Sequence, residues 1–164
     1  MKLKSTQLLI LSFLFFQFSF AQVARNSKLY KEILKMDQLI FEDGFNNCKF
    51  DSIKNVMHKD MVFYHDKSGI SYEEDFIVSM KQNICATPNK KPIRKLTEQG
   101  FDVYPLYNNG VLYGAIQVGI HEFFIKELNK DLYKTNIAKF THTWVLENEL
   151  WKLKVILSYD HQEP

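Results

Sequence analysis

Residues 139–161 read KFTHTWVLENELWKLKVILSYDH. Apolar and polar side chains alternate on both sides of Asn148–Glu149, the pattern of two strands joined by a two-residue turn. Counting outward from that turn sets Leu146 against Trp151, Trp144 against Leu153, His142 against Val155 and Phe140 against Leu157. Thr141, Thr143 and Val145 fall on the other face with Lys152, Lys154 and Ile156. A slip of one residue would turn the apolar set to solvent, so agreement between the two arms predicts a register as well as a pairing. One polar ring, His142, sits on the apolar face. It reads either as the wall of a pocket or as a core histidine held by a backbone or threonine partner.

Upstream, Asn109–Gly110 marks a second hairpin, with strands over about 93–107 and 111–124. Pairing outward puts Tyr107 by Leu112, Val103 by Ile116, Phe101 by Val118 and Glu98 by His121. Both faces are partly apolar, and Gly100, Gly114 and Gly119 predict bulges that exchange the faces partway along. The N-terminal half reads as helix. Leu29, Ile33, Met36, Ile40 and Phe41 recur at helical spacing across 27–47, with Asp37 beside the stripe, at a solvent boundary or facing a cavity. A short helix over 50–58 offers Phe50, Ile53 and Met57 to the core and ends on His58. Met61–His65 is a strand, Asp66–Gly69 a turn, and Ser71 with Glu74 a capping box that opens a helix to about residue 83. Helices followed by a run of antiparallel strands predict an α+β domain whose curved sheet folds over its helices.

The first 21 residues have a basic start, an apolar run over 8–20 and a small residue at Ala21, the pattern of a cleaved signal peptide. The run is too short to span a bilayer, and no Cys follows it to accept a lipid. The expected product is a single domain, 22–164, secreted or periplasmic. Loss of Lys2 and Lys4 would leave 19 basic against 19 acidic residues, with no basic reservoir for nucleic acid or an anionic membrane. An oxidising compartment permits a bridge between Cys48 and Cys85, and two buried free thiols fit the sequence as well, with free thiols the default. No Cys-x-x-Cys, His-x-His or His-x₃-His occurs, nor a Gly-rich phosphate loop or a nucleophile elbow, so neither metal nor cofactor is expected.

Several stretches together resemble the nuclear transport factor 2 (NTF2)-like superfamily. They are the N-terminal helix pair, DMVFYHDKSG (60–69), YGAIQ (113–117), KFTHTW (139–144) and LWKL (150–153). Within it, the chain is most similar to the DUF4440/SnoaL-like branch of small secreted bacterial proteins. The resemblance implies a cystatin-like cone of helices packed in a strongly curved antiparallel sheet, open at one end, and a homodimer formed through the outer face of the sheet. It implies a pocket in which His142, His65, His121, Tyr159 and Asp160 are the acid/base candidates. Tyr113, Trp144, Phe63, Asp37 and His161 are the candidate ligand contacts. Tyr159 and His161 share the parity of Trp151 and Leu153, which continues the core face, while Asp160 points the other way. A neutral His accepts a proton near pH 7, a carboxylate orients it, and a Tyr hydroxyl stabilises an oxyanion. Such a set suits a small apolar or carbonyl-containing molecule and isomerase- or lyase-type chemistry. The superfamily also contains non-catalytic association domains, which here would mean a pocket plugged by Phe63 and Trp144.

Overall fold

The structure is a computed structural model and describes residues 22–87 and 89–163. The signal peptide expected over residues 1–21 lies outside them. Helix α1, Lys28–Gln38, begins where the Ser27 hydroxyl accepts the Tyr30 N–H at 3.2 Å, and it buries Tyr30, Ile33 and Asp37. It then widens into π-helical winding over Leu39–Asn46, closed by the Asn47 N–H on the carbonyl of Glu42. Helix α2 is shorter than expected, Phe50–Lys54. His58 therefore does not close a helix; it lies in strand β1, Met57–His65, buried and 3.1 Å from a Glu147 carboxylate oxygen.

Ser71 is likewise strand and not cap. It lies in β2, Gly69–Tyr72, paired with Phe63 of β1. Helix α3, Glu73–Ser79, has Tyr72 at its start without a side-chain bond. Three carboxylates in its first turn, Glu73, Glu74 and Asp75, meet the positive end of the helix dipole instead. It too widens, over Met80–Ile84, closed by the Cys85 N–H on the Met80 carbonyl.

Cys48 and Cys85 follow the ends of these two π-wound segments, and they are bonded to each other. The free-thiol default is thus overturned: the pairing depends on where the two helices end in space. The bridge closes a loop of 37 residues in sequence separation. Replacing both cysteines by serine is expected to cost about 2–4 kcal/mol through the freer unfolded chain. Urea titrations read the cost, and an unchanged midpoint would show that the bridge contributes nothing.

The remaining strands are β3 (Lys90–Asn108), β4 (Val111–Glu127), β5 (Tyr133–Glu147) and β6 (Leu150–Gln162). They form one sheet in the order β2-β1-β6-β5-β4-β3, antiparallel except where β1 runs parallel to β6. Both expected tight turns are present, with positive φ at Asn109, Gly110, Asn148 and Glu149.

The final hairpin keeps the expected register only next to its turn. Trp144 faces Leu153 and Leu146 faces Trp151, but a bulge then sets His142 against Ile156 and Phe140 against Ser158. Ile156 and Ser158 are consequently buried, whereas Val155 and Leu157 are half-buried. The predicted core places of Val155 and Leu157, and the outer place of Ile156, are corrected. Val155–Ile156–Leu157 is an unbroken apolar run, so alternation could not register the extra residue. A second shift, beside Asp160 at φ 59°, leaves Tyr159 outside and brings His161 back inward.

In β3 and β4 the shifts fall beside the glycines that predicted them. Val103 faces Gln117, Phe101 faces Gly119, and Leu96 rather than Glu98 faces His121. At Gly119 a Cβ would come within 2.8 Å of the Phe140 ring, so only glycine lets that ring lie across the strand. The core, with Ile33, Ile40, Phe101, Phe140, Trp144 and Leu153 among it, fills the hollow between sheet and helices.

Candidate functional site

The hollow is not completely filled. A cavity of about 320 Å³ remains between the sheet, the π-wound end of α1 and helix α3. Phe41, Phe63, Phe76, Phe123 and Ile156 are among its apolar lining; His65, His121, His142 and Ser158 interrupt it, as do Ser68, Ser71, Asp75 and Ser79 on the side of β2 and α3. Phe63 packs edge-on against Phe76, 5.4 Å between ring centres, and so belongs to the wall and does not plug the space.

Behind the deep wall lies a buried polar network. Arg94 of β3 grips Asp37 of α1 through two N–H···O bonds of 2.7 and 3.2 Å, both side chains about 3 % exposed. β3 is an edge strand, and Asn46 takes the place of its missing neighbour. Its amide accepts the Arg94 backbone N–H and donates to the Arg94 carbonyl, each at 2.8 Å. The guanidinium lies 3.9 Å above the Phe41 ring. Gln117 donates to Asp37 at 2.9 Å, and its carbonyl oxygen receives the Trp144 N–H at 2.9 Å and faces His142 Nδ1 at 3.0 Å.

A second chain of bonds leads from Arg94 toward the mouth. Arg94 Nε–H donates to His121 Nδ1 at 3.3 Å, which leaves the proton of a neutral His121 on Nε2, 3.4 Å from the Ser158 hydroxyl. Ser158 is in turn 3.4 Å from His161 Nε2, and His161 Nδ1 is 2.6 Å from Asp66. His161 stacks on His65 with 4.5 Å between ring centres. Burial, then the charge of Arg94, hold His121 down to a pKa of about 2. Burial holds His142 down to about 3, with Asp37 opposing and Arg94 adding to the effect. His65 is lowered as well, by burial first and by His161 second.

The structure thus gathers His65, His121, His142 and Phe63 along one cavity, with His161 stacked on His65 beside it. The other sequence candidates lie elsewhere. Trp144 is fully buried in the network behind the wall, and Asp37 is held there by Arg94. Tyr113 and Tyr159 are exposed, and Asp160 is an exposed partner of Lys139 at 2.8 Å. Arg94, Gln117, Ser158 and Asp66 went unread. A faint signal existed for Gln117, a lone amide in an apolar strand, but none named its partner. His65, Asp66 and His161 bring three potential metal-ligating atoms within 4.8 Å of one another. Of these atoms, His65 Nδ1 accepts the backbone N–H groups of Lys67 and Ser68, and Asp66 accepts the Nδ1–H of His161.

No family model matches the sequence, and no curated protein matches it. Solved structures do. An NTF2-like protein from Cytophaga hutchinsonii has a TM-score of 0.60 at 13% identity, covering 80% of this chain and 98% of its own. A cystatin-like protein of unknown function from Nostoc punctiforme gives 0.56 at 12%, covering 80% and 91%. The CamKII hub homology domain of Chlamydomonas reinhardtii gives 0.61 at 12%, covering 80% and 97%. The fold is therefore the NTF2-like, cystatin-like α+β cone.

Proposed function

We propose that this chain is an exported binding domain of the DUF4440/SnoaL-like kind, holding a small, mainly apolar molecule in its cone. The observation that carries the reading is an open cavity of about 320 Å³ whose lining is mainly apolar, with His65, His121, His142 and Ser158 set among the aromatic rings. It is about twice the roughly 150 Å³ cavity that holds a benzene ring, room for two fused rings. The disulfide supports export to an oxidising compartment.

Binding is favoured over proton abstraction by His142 or His121. With pKa values near 3 and 2, neither takes up a proton appreciably at neutral pH. The pair with the form of a general base is His161 with Asp66, where the carboxylate holds Nδ1 and leaves Nε2 as acceptor. Any turnover would start there. A second reading, an association module, is favoured by the outer sheet face, where Thr141, Thr143, Val155 and Leu157 are only half-buried. We include in the proposal that two copies pair through it.

Native mass spectrometry of the exported protein, taken from the producing cells without denaturation, tests both parts. The expected spectrum is a dimer in which each chain carries a small-molecule adduct that collisional heating releases. A bare chain that also takes up no added naphthalene-sized compound would sink the binding reading. A monomer at tens of micromolar would sink the dimer.

A further inference from the structure

We infer that the deep end of the cone is a pure hydrogen-bond acceptor, His142 Nε2, and that the ligand it selects is an apolar ring system carrying a neutral hydroxyl. This rests on the binding reading of the same cavity and specifies its ligand. The polarity follows from groups that have no choice of role. A guanidinium and an indole N–H only donate, and a carboxylate only accepts. Asp37 accepts both Arg94 bonds, so the Gln117 group 2.9 Å from it is the NH₂. Trp144 Nε1–H reaches the other end of the same amide at 2.9 Å, which must then be the carbonyl oxygen. The Gln117 amide is oriented from both sides.

His142 Nδ1, 3.0 Å from that carbonyl oxygen, must therefore carry the ring proton. A neutral imidazole has only one, so Nε2 is a bare lone pair, and no partner for it exists among the described residues. The ring is fully buried, lies against Phe41 and Phe140 with ring centres 5.4 and 4.6 Å away, and lines the cavity. Nε2 is thus the one unpartnered polar atom of a ring that lines the cavity, and its own surface is covered, so a ligand hydroxyl reaches it where the side chains over it give way. A lone pair in an aromatic cavity accepts an O–H. It repels the oxygen of an ether, a carbonyl or a carboxylate, each of which brings only lone pairs. The remote relay works to the same end. Arg94 and Asp37 lie behind the wall, and through Gln117 they hold the tautomer of a ring they do not touch.

Calorimetric titration of the purified protein with naphthalene, 2-naphthol and 2-methoxynaphthalene at pH 7.5 tests this. 2-Naphthol is expected to bind at least about tenfold tighter than the other two, the worth of one hydrogen bond to an otherwise unpaired buried acceptor. Naphthalene is no larger than the naphthol and controls for the bulk of the methyl group. In His142→Leu the preference should vanish while naphthalene still binds. Equal affinities for all three in the unsubstituted protein overturn the inference and leave the binding reading standing. Binding of none overturns both. Should His142→Leu fail to fold, ¹⁵N spectra of the histidine-labelled native protein decide instead. Nε2 of His142 should be unprotonated in the free protein and shift with 2-naphthol but not with the ether. A proton found on Nε2 overturns the assignment.

Discussion

Replacing Arg94 by methionine is expected to destabilise the protein by about 3–5 kcal/mol. The substitution keeps a flexible apolar stem over Phe41 but withdraws the two hydrogen bonds that satisfy Asp37. Asp37 would retain only the Gln117 amide, in a site from which water is excluded. Most of the loss is the penalty of an unpartnered buried charge and not the intrinsic worth of the pair. The double substitution Asp37→Leu with Arg94→Met should for that reason recover much of the stability lost by Arg94→Met alone. Urea unfolding of the two variants and the native protein, at equal slopes, measures the cycle. If Arg94→Met costs less than about 1 kcal/mol, the network is not what holds α1 against β3.

Mild acid is expected to weaken the fold over a range where most domains are stable. His142 and His121 stay neutral in the folded chain down to about 3 and 2, but in the unfolded chain they titrate near 6.5. A depressed folded pKa means that the unfolded state binds the proton first. Stability from these groups is complete above pH 6.5 and is lost as pH falls below it toward the folded values. Each histidine then removes about 1.4 kcal/mol per pH unit, and the two together remove about 5 kcal/mol by pH 4.5. That is comparable to the lower end of a domain's total stability. His65, also lowered, acts in the same sense; Asp66, lowered because its desolvation is outweighed by its bonds to His161, does so only below its ordinary value of 3.8. Unfolding free energies measured from pH 7.5 to 4.5 should fall with this slope, and His142→Leu should remove about half of it. A flat profile down to pH 5 would show that both rings are reached by water.

Much of this was legible in the residues themselves. The two hairpin turns were, because Asn109–Gly110 and Asn148–Glu149 supply the positive φ that a two-residue loop needs, whatever surrounds them. The glycines of β3 and β4 announced bulges for the same local reason. That His142 lies on the inner face was readable from its place between Phe140 and Trp144, and the curved sheet over helices followed from the order of the elements. In contrast, the cap expected at Ser71 gave way to the pairing of Ser71 with Phe63, a contact that only the neighbouring strand could create.

The site itself was decided elsewhere. Alternation records which face a residue takes relative to its neighbours, so it is blind to one extra residue in the apolar run Val155–Ile156–Leu157. That residue exchanged the faces and brought Ser158 to His121. Arg94 and Asp37 are 57 residues apart, and Gln117 is 80 from Asp37. Nothing local in any of the three selects the others. The local periodicity of the chain determined its strands, its turns and the inward direction of His142. Only tertiary folding decided which proton His142 carries, because hydrogen-bond roles are assigned by whichever groups are brought within about 3 Å, and curvature and bulges set that distance.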